Sequence, residues 1–348
     1  MKKPTSNFVV GLVVLCGLLL FIRVNVLFTQ EKHETIPPRL TESQDTIARE
    51  AYIPEVVVQA PWGEKNLYQG AGGEESKPGE FGHYVSEETE LGPDAFTVAP
   101  NGDIYISDPL NKRIQEYNSS GQFLSVIPIP DGKAVVDICA DDNDNLFLLR
   151  YGAKGRGGPG CVDKCDHNGK PIASYPAFID VKRTANLVHC DNKGRVFIEG
   201  VSYGFYQVGA STVPLSFQEQ KRSLREGSLG SNSATADKDV FFKGGYLMSF
   251  DGDTTQPFHS TMGSLFGYDE RLNLYTEAYD DQRESMIVRK YDPRGSSIAE
   301  FQYDCGEPYT GLFKVGFTCA FLDPKGNFYV FCESYKDGIK VIKWYKRS

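Results

Sequence analysis

Three stretches far apart in the chain share one pattern: Asn101-Gly102-Asp103-Ile104-Tyr105-Ile106, Lys193-Gly194-Arg195-Val196-Phe197-Ile198 and Lys325-Gly326-Asn327-Phe328-Tyr329-Val330. Each puts a Gly in a two-residue turn, then a polar residue, then a β-branched or aromatic run. Gly supplies the positive φ that a tight antiparallel connection needs, so each stretch reads as a β-hairpin. Asp144-Asn145-Leu146-Phe147-Leu148-Leu149 is a fourth copy without the Gly, and Leu272-Asn273-Leu274-Tyr275 is a weaker fifth. A second pattern follows some of the first. Tyr117-Asn118-Ser119-Ser120-Gly121, Cys165-Asp166-His167-Asn168-Gly169 and Tyr291-Asp292-Pro293-Arg294-Gly295 each set Asn or Asp three residues before a Gly. There the Asx side chain can bond the turn backbone while Gly takes the left-handed position. Two hairpin turns per unit make four strands.

Gly102, Gly194 and Gly326 stand at intervals that divide into units of about 46 and about 44 residues, within the roughly 40 to 50 residues of a four-stranded propeller blade. From about residue 92 to the C-terminus this period predicts six units, and hence an all-β, six-bladed β-propeller. The fourth unit is the least legible: residues 239–250 give strands, but residues 211–238 are polar and Ser-rich. A five- or seven-bladed ring also fits that stretch. Leu146-Phe147-Leu148-Leu149 and Phe328-Tyr329-Val330-Phe331 are continuously apolar, as strands are when both faces of their sheet are covered. The last unit is one strand short. The strand-like residues 55–60 are therefore expected to pair with the C-terminal strands and close the ring, which removes an exposed edge.

Residues 8–22 are uncharged and apolar, and residues 24–28 extend the run past Arg23 to about 21 residues, near the ~20 that a membrane-spanning helix needs. Lys2 and Lys3 precede it, which places the N-terminus in the cytoplasm and the rest of the chain across the membrane. The run also suits a signal-peptide core, but no A-x-A-like cleavage site follows. Cys16 lacks the small preceding residue of a lipidation signal, standing after Val13, Val14 and Leu15. Retained anchor, cleaved signal and lipidated anchor all stay open, and the first fits best. The organisation is then a cytoplasmic N-terminus (1–7), a signal anchor or transmembrane segment (8–28), a linker (29–54) and a propeller (55–348) in the periplasm or outside the cell. With 37 basic against 46 acidic residues the net charge is −9, which disfavours nucleic-acid binding.

Seven of the eight cysteines lie beyond the apolar segment, and in an oxidising compartment that usage suggests disulfides. Cys319 and Cys332 would face each other across a two-residue turn at Lys325-Gly326. Cys161 and Cys165 could close a small loop. Cys139 and Cys190 occupy comparable inner strands of adjacent units, either bridged or as reduced core cysteines.

The run Gly92-Pro93-Asp94-Ala95-Phe96-Thr97-Val98-Ala99-Pro100-Asn101-Gly102-Asp103-Ile104-Tyr105-Ile106-Ser107-Asp108, continued by Asn111, Arg113 and Ile114, resembles the NHL repeat. That pattern has a Pro before the inner strand, a Gly turn, a strand ending in Asp, then Asn-x-Arg-Ile. The match is close in the first unit only; elsewhere the Asp-Asn-Arg trio is lost, with Glu199 and Cys332 near the Asp position. The resemblance implies a scaffold shared by protein-binding and RNA-binding modules, peptide-amidating and antibiotic-inactivating lyases, and many extracytoplasmic proteins. Asp108, Asn111 and Arg113 read better as hydrogen-bonding residues internal to the blade than as a site.

A propeller's natural site is its axial channel, where the innermost strands start. Aligned on their turns, Asp94, Asn186 and Thr318 fall in one such layer, with Asp137 close by and Ser264 less surely placed. These oxygens could hold Ca²⁺, or simply channel water. Outside the linker the histidines are His83, His167, His189 and His259, with no H-x-x-x-H or H-E-x-x-H spacing for zinc. Asp141-Asp142-Asn143-Asp144-Asn145 starts like a calcium loop but lacks the Gly and the closing Glu of an EF-hand. Residues 152–160 are Gly-rich without the Gly-Lys-Ser/Thr of a phosphate loop. The function expected is a membrane-anchored module for a protein, peptide or glycan ligand. The alternative is a metal-dependent lyase or hydrolase with its site in the channel.

Overall fold

In the computed structural model, residues 50–347 are described apart from 64–75, 86–89, 130–134, 151–159, 181–182, 191–195, 201–204, 209–212, 215–239, 244–245, 252–253, 261–263, 272, 281, 284, 293–295, 304–319 and 335. The apolar run at 8–28 and the linker up to residue 49 lie outside the described residues. Among the described residues no helix is long and apolar enough to cross a membrane. The single helical element among them is a 3-10 turn at Pro109–Asn111. Residues 48–348 form one compact unit.

The strands follow in antiparallel sheets. A first strand, β1 (Tyr52–Ala60), precedes a small ribbon of β2 (Tyr84–Val85) and β3 (Glu90–Leu91). The first sheet is β4 (Phe96–Val98), β5 (Ile104–Asp108), β6 (Arg113–Tyr117) and β7 (Phe123–Pro128). The second is β8 (Val135–Ala140), β9 (Leu146–Arg150), β10 (Cys161–Cys165) and β11 (Pro171–Pro176). The third is β12 (Phe178–Asp180), β13 (Arg183–Cys190), β14 (Val196–Gly200), β15 (Phe205–Val208) and β16 (Val213–Pro214). The fourth is β17 (Val240–Lys243), β18 (Tyr246–Asp251) and β19 (Thr254–Ser260). The fifth is β20 (Ser264–Tyr268), β21 (Leu274–Asp280), β22 (Ser285–Tyr291) and β23 (Ser297–Tyr303). The last is β24 (Ala320–Leu322), β25 (Phe328–Ser334) and β26 (Gly338–Lys346), joined at its outer edge by β1.

Closure by the N-terminal strand is direct: β1 pairs with β26 from Tyr52 opposite Lys346 to Ala60 opposite Ile339. The strand starts at Tyr52, so residues 52–54 belong to the sheet and not to the linker.

Where side chains are described, neighbouring sheets pack face to face, and the continuously apolar strands explain why. In β9, Leu146 and Leu148 point into a core shared with the first sheet through Tyr105, Ile114 and Ile127. Phe147 and Leu149, one step along the pleat, point into a core shared with the third sheet through Val188, Val196 and Ile198. Phe328 and Val330 of β25 likewise meet the fifth sheet at Tyr275, Val288 and Phe301. Tyr329 and Phe331 meet the first sheet at Phe96, Ile104 and Ile106. Period-two alternation thus feeds two cores instead of one core and solvent. The last sheet contacts the first, and the inner strands β4, β8 and β13 lie side by side, as do β20 and β24. This cyclic stacking is a β-propeller.

The turns differ in type from the two-residue hairpins that the Gly positions suggest. Gly102 donates its N–H to the Ala99 carbonyl (2.8 Å) and Ala99 bonds Asp103 (2.8 Å). Gly102 sits at φ +96°. That is a four-residue turn closed by one left-handed residue, the three-residue hairpin with a bulge. Asp141 to Asn145, Asn118 to Gln122, Asp166 to Lys170 and Asp323 to Asn327 repeat it. The two signatures in the sequence are therefore one hairpin, and Asp144 takes the left-handed position itself at φ +57°. The consequence for register is a shift of one: Leu322 pairs with Phe328, where a two-residue turn at Lys325-Gly326 would pair it with Tyr329.

Candidate functional site

The polar layer chosen from the turns falls at the starts of the inner strands. Asp94 stands two residues ahead of β4, and its Oδ1 accepts the Ser107 hydroxyl at 2.5 Å. The same hydroxyl oxygen accepts the N–H groups of Asp94 (3.2 Å) and Ala95 (3.0 Å). Asp137, buried in β8, accepts the Val188 N–H of the neighbouring inner strand at 2.8 Å. Both carboxylates therefore satisfy donors of the fold, where the sequence alone suggested channel water or a cation. Asn186 falls at an irregularity of β13 between Ala185 and Leu187, and β8 has one between Val135 and Asp137. Such bulges re-aim side chains and are frequent beside functional sites. Ser264 opens β20 opposite Glu277, and Thr318 lies outside the described residues. Among the described residues no three His, Cys, Asp or Glu side chains are grouped to hold a metal ion.

Two residues beyond Asp137 and Val188, the same two inner strands are joined by a Cys139–Cys190 disulfide, Cα to Cα 5.8 Å. One hydrogen bond and one covalent bond thus stitch the second sheet to the third. The Cys161–Cys165 pairing does not form, and both thiols are free. Extended backbone is the reason: four residues along β10 separate the two by about 13 Å, beyond the reach of a disulfide. Burial pushes the Cys161 thiol up, and Asp163 beside it adds to this. Burial likewise pushes Cys165 up to about 11, so neither thiol is an activated nucleophile at neutral pH. Cys332 is disulfide-bonded, and its partner, like Cys319, lies outside the described residues.

The Asp-Asn-Arg trio has a more specific role than blade-internal bonding. Asp108, at the end of β5, is fully buried and accepts Asn111 Nδ2 (2.9 and 2.8 Å), Arg113 Nε (2.8 Å) and the Gly82 N–H (3.0 Å). Arg113 spends its remaining donors on the carbonyls of Ser76 (3.0 Å), Lys77 (2.9 Å) and Glu80 (2.7 Å). Gln115 adds bonds to the Glu80 carbonyl (2.7 Å) and from the Gly79 N–H (2.8 Å). Together they clamp residues 76–82 as a strap over the end of the first sheet where its inner strand begins. Burial pushes the Asp108 carboxyl up, and Arg113 opposes that shift.

The trio is confined to the first unit of the sequence, and the strap is what it grips there. Glycine is needed at position 82 of the strap, since a Cβ would come within 2.7 Å of Leu110 and 2.9 Å of the Asn111 amide. The strap delivers Phe81 into the core and His83 onto the indole of Trp62, the rings stacked at 4.3 Å. Trp62 Nε1 donates to the Ser334 carbonyl at the end of β25 (2.7 Å). A methyl group on Gly92 would lie 3.5 Å from His83 and 3.6 Å from the Glu333 carboxylate. Trp62, His83 and Glu333 therefore gather on one face, at the junction of the last and first sheets. Sequence reading missed this group because Trp62 and His83 lie outside the repeats. The available signal was the trio itself, a set of donors larger than one turn needs.

No protein-family model and no curated protein matches the chain. Among solved structures, it is similar to a member of the duf4221 family from Bacteroides vulgatus, at 11% identity and TM-score 0.45, covering 86% of this chain and 100% of that one. It is similar to a streptogramin B lyase at 9% identity and TM-score 0.42, covering 85% and 98%. It is also similar to a calcium-binding protein, regucalcin, from Agrobacterium tumefaciens, at 14% identity and TM-score 0.40, covering 73% and 91%.

Proposed function

We propose that this chain is a membrane-anchored, extracytoplasmic six-bladed propeller of NHL-like type. It recognises a protein, peptide or glycan on the face that carries the strap. One observation carries the reading: the inner-strand carboxylates and the Asp-Asn-Arg trio serve the fold, and the trio builds a rigid strap on which the buried His83 ring backs the half-buried indole of Trp62. Rigid aromatic rings held by backbone bonds recognise ligands at low entropic cost. The Cys139–Cys190 disulfide supports the extracytoplasmic address, since such bonds persist in oxidising compartments. The apolar run at 8–28 supports the anchor.

The test places a photo-reactive residue at Lys77 or Glu80 on the strap of the full chain in its native membrane. Cross-linking to one discrete species, weakened by Trp62→Ala, is the expected result. A channel lyase or hydrolase would instead hold a stoichiometric divalent ion in the purified protein. Loss of turnover on chelation, without loss of stability, would replace the binding reading.

A further inference from the structure

Among the described residues five large apolar side chains are exposed, and four of them lie on outermost strands: Val56 (52%) on β1, Phe123 (38%) and Leu124 (48%) on β7, and Ile172 (55%) on β11. These three strands edge three sheets that follow one another round the ring. They are also physically continuous. The Gly121 turn of the first sheet lies so close to β1 that a Cβ would overlap the Val57 carbonyl. The Gly169 turn of the second sheet lies against Ile127 and Pro128 of β7. One stretch of the outer rim therefore carries these four apolar side chains, interleaved with the exposed Glu55, Gln59, Gln122, Lys170 and Ser174.

Three features narrow what covers it. Each edge contains proline, Pro54 in β1, Pro128 in β7, and Pro171 and Pro176 in β11, which blunts the edge against addition of another strand. The net charge of −9 gives no attraction to an anionic surface. Finally, the apolar run at 8–28 is tied by residues 29–49 to β1, the strand that bears Val56. A random-coil chain of that length would reach about 25 Å and would hold the rim at an effective concentration on the order of millimolar. Against that concentration, even an affinity as weak as a single myristoyl chain's, about 10⁴ M⁻¹, leaves the bound state favoured roughly tenfold.

We infer that this rim rests on the surface of a neutral lipid bilayer, with Val56, Phe123, Leu124 and Ile172 among the headgroups. Open strand edges are excluded from the hydrocarbon core, so the side chains reach only the headgroup and acyl boundary, about 5–10 Å deep. The inference rests on the anchored reading above.

Full-length chain reconstituted into phosphatidylcholine vesicles carries Leu124→Trp, Ile172→Trp or Tyr279→Trp, with the parent signal of Trp62 and Trp344 subtracted. Brominated phosphatidylcholine should quench the added fluorescence at 124 and 172 by about twofold or more and leave that at 279, which is exposed off the rim, unchanged. Raising salt to about 0.5 M should not release it. Adding Ile172→Glu to Leu124→Trp should reduce the quenching by about twofold. If the chain stays with the vesicles through a carbonate wash and positions 124 and 172 are not quenched, the inference is overturned. Cross-linking of two rims in place of quenching overturns it in favour of a second copy. Loss of the chain in the carbonate wash overturns the anchored reading along with it.

Discussion

Lys290 Nζ lies 2.7 Å from the Glu50 carboxylate, joining the fifth sheet to the residue just ahead of the ring-closing strand. The ammonium also reaches the Tyr52 hydroxyl at 3.2 Å and Asp269 at 3.3 Å. Tyr52 in turn bonds Tyr275 at 2.8 Å, and Lys346 holds the other Glu50 oxygen at 2.8 Å. Burial opposes ionisation of Glu50, but its bonds to Lys290 and Lys346 hold its carboxyl below the usual 4.5.

A depressed carboxylate stabilises the fold above its unfolded value, and the gain is lost as pH falls through the folded one. The melting temperature should therefore decline as pH drops below about 4.5. Glu50→Gln should lower stability at neutral pH and flatten that acid limb, as thermal melts at pH 3 to 7 would measure. An unchanged acid limb in Glu50→Gln would remove the clasp from the account.

Arg113→Lys keeps the charge but loses the planar fork that reaches three carbonyls. Asp108→Ala leaves Arg113 buried without its carboxylate, at a cost of about 3–5 kcal/mol. Both should raise hydrogen exchange at Phe81 and Gly82 before the sheets themselves exchange. Equal loosening of strap and sheets would mean that the trio braces the first sheet and not the strap.

Left-handed positions separate two turns that otherwise match. At Gly326 (φ +83°) a Cβ would come 2.6 Å from the Tyr275 hydroxyl, so Gly326→Ala should destabilise by about 1–3 kcal/mol. Asp144, at φ +57°, carries the strain of a non-Gly residue, and Asp144→Gly should be neutral or stabilising by up to about 1 kcal/mol. Chemical denaturation of the two variants reads both signs.

The Cys139–Cys190 bond closes 51 residues, for which the chain-entropy account gives about 4 kcal/mol. Replacing both cysteines by Ala should lower denaturation midpoints accordingly, while Cys161→Ser should leave the disulfide intact. Alkylation followed by mass spectrometry should find Cys161 and Cys165 unpaired.

Repetition made the architecture legible. Gly102, Gly121, Gly169 and Gly326 mark turns because only a residue free of Cβ strain sits easily at those φ values, and apolar runs such as 146–149 mark strands covered on both sides. The turn type was hidden, because a Gly marks the left-handed residue without fixing the loop length, which the Asx bonds across five residues do. Asp141 Oδ1 accepts the N–H groups of Asn143 and Asn145, both at 2.9 Å, and the Asn145 amide returns to the same carboxylate. Asp269 with Asn273 and Asp323 with Asn327 do the same. That Asp and Asn four apart is a repeat signal as clear as the Gly, once its geometry is known. Cys161 and Cys165 were misjudged because their spacing fits a loop, and the chain there is fully extended. His83 and Trp62 were illegible for another reason: segments without periodicity acquire their positions from residues distant in sequence, Asp108, Arg113 and Gln115 for the strap and Ser334 for Trp62.

Strand β1 leaves the ring beside the chain's other end, with Arg347 N–H on the Ala51 carbonyl at 2.9 Å. Any pull on the residues ahead of Tyr52 acts along this seam from one end. It would peel the ladder of β1 and β26 pair by pair, the mode in which strands resist force least. Glu50, gripped by Lys290 and Lys346, sits at the point where such a tear would begin, so these two lysines and one carboxylate are the first contacts it would have to break before the nine-residue strand behind them.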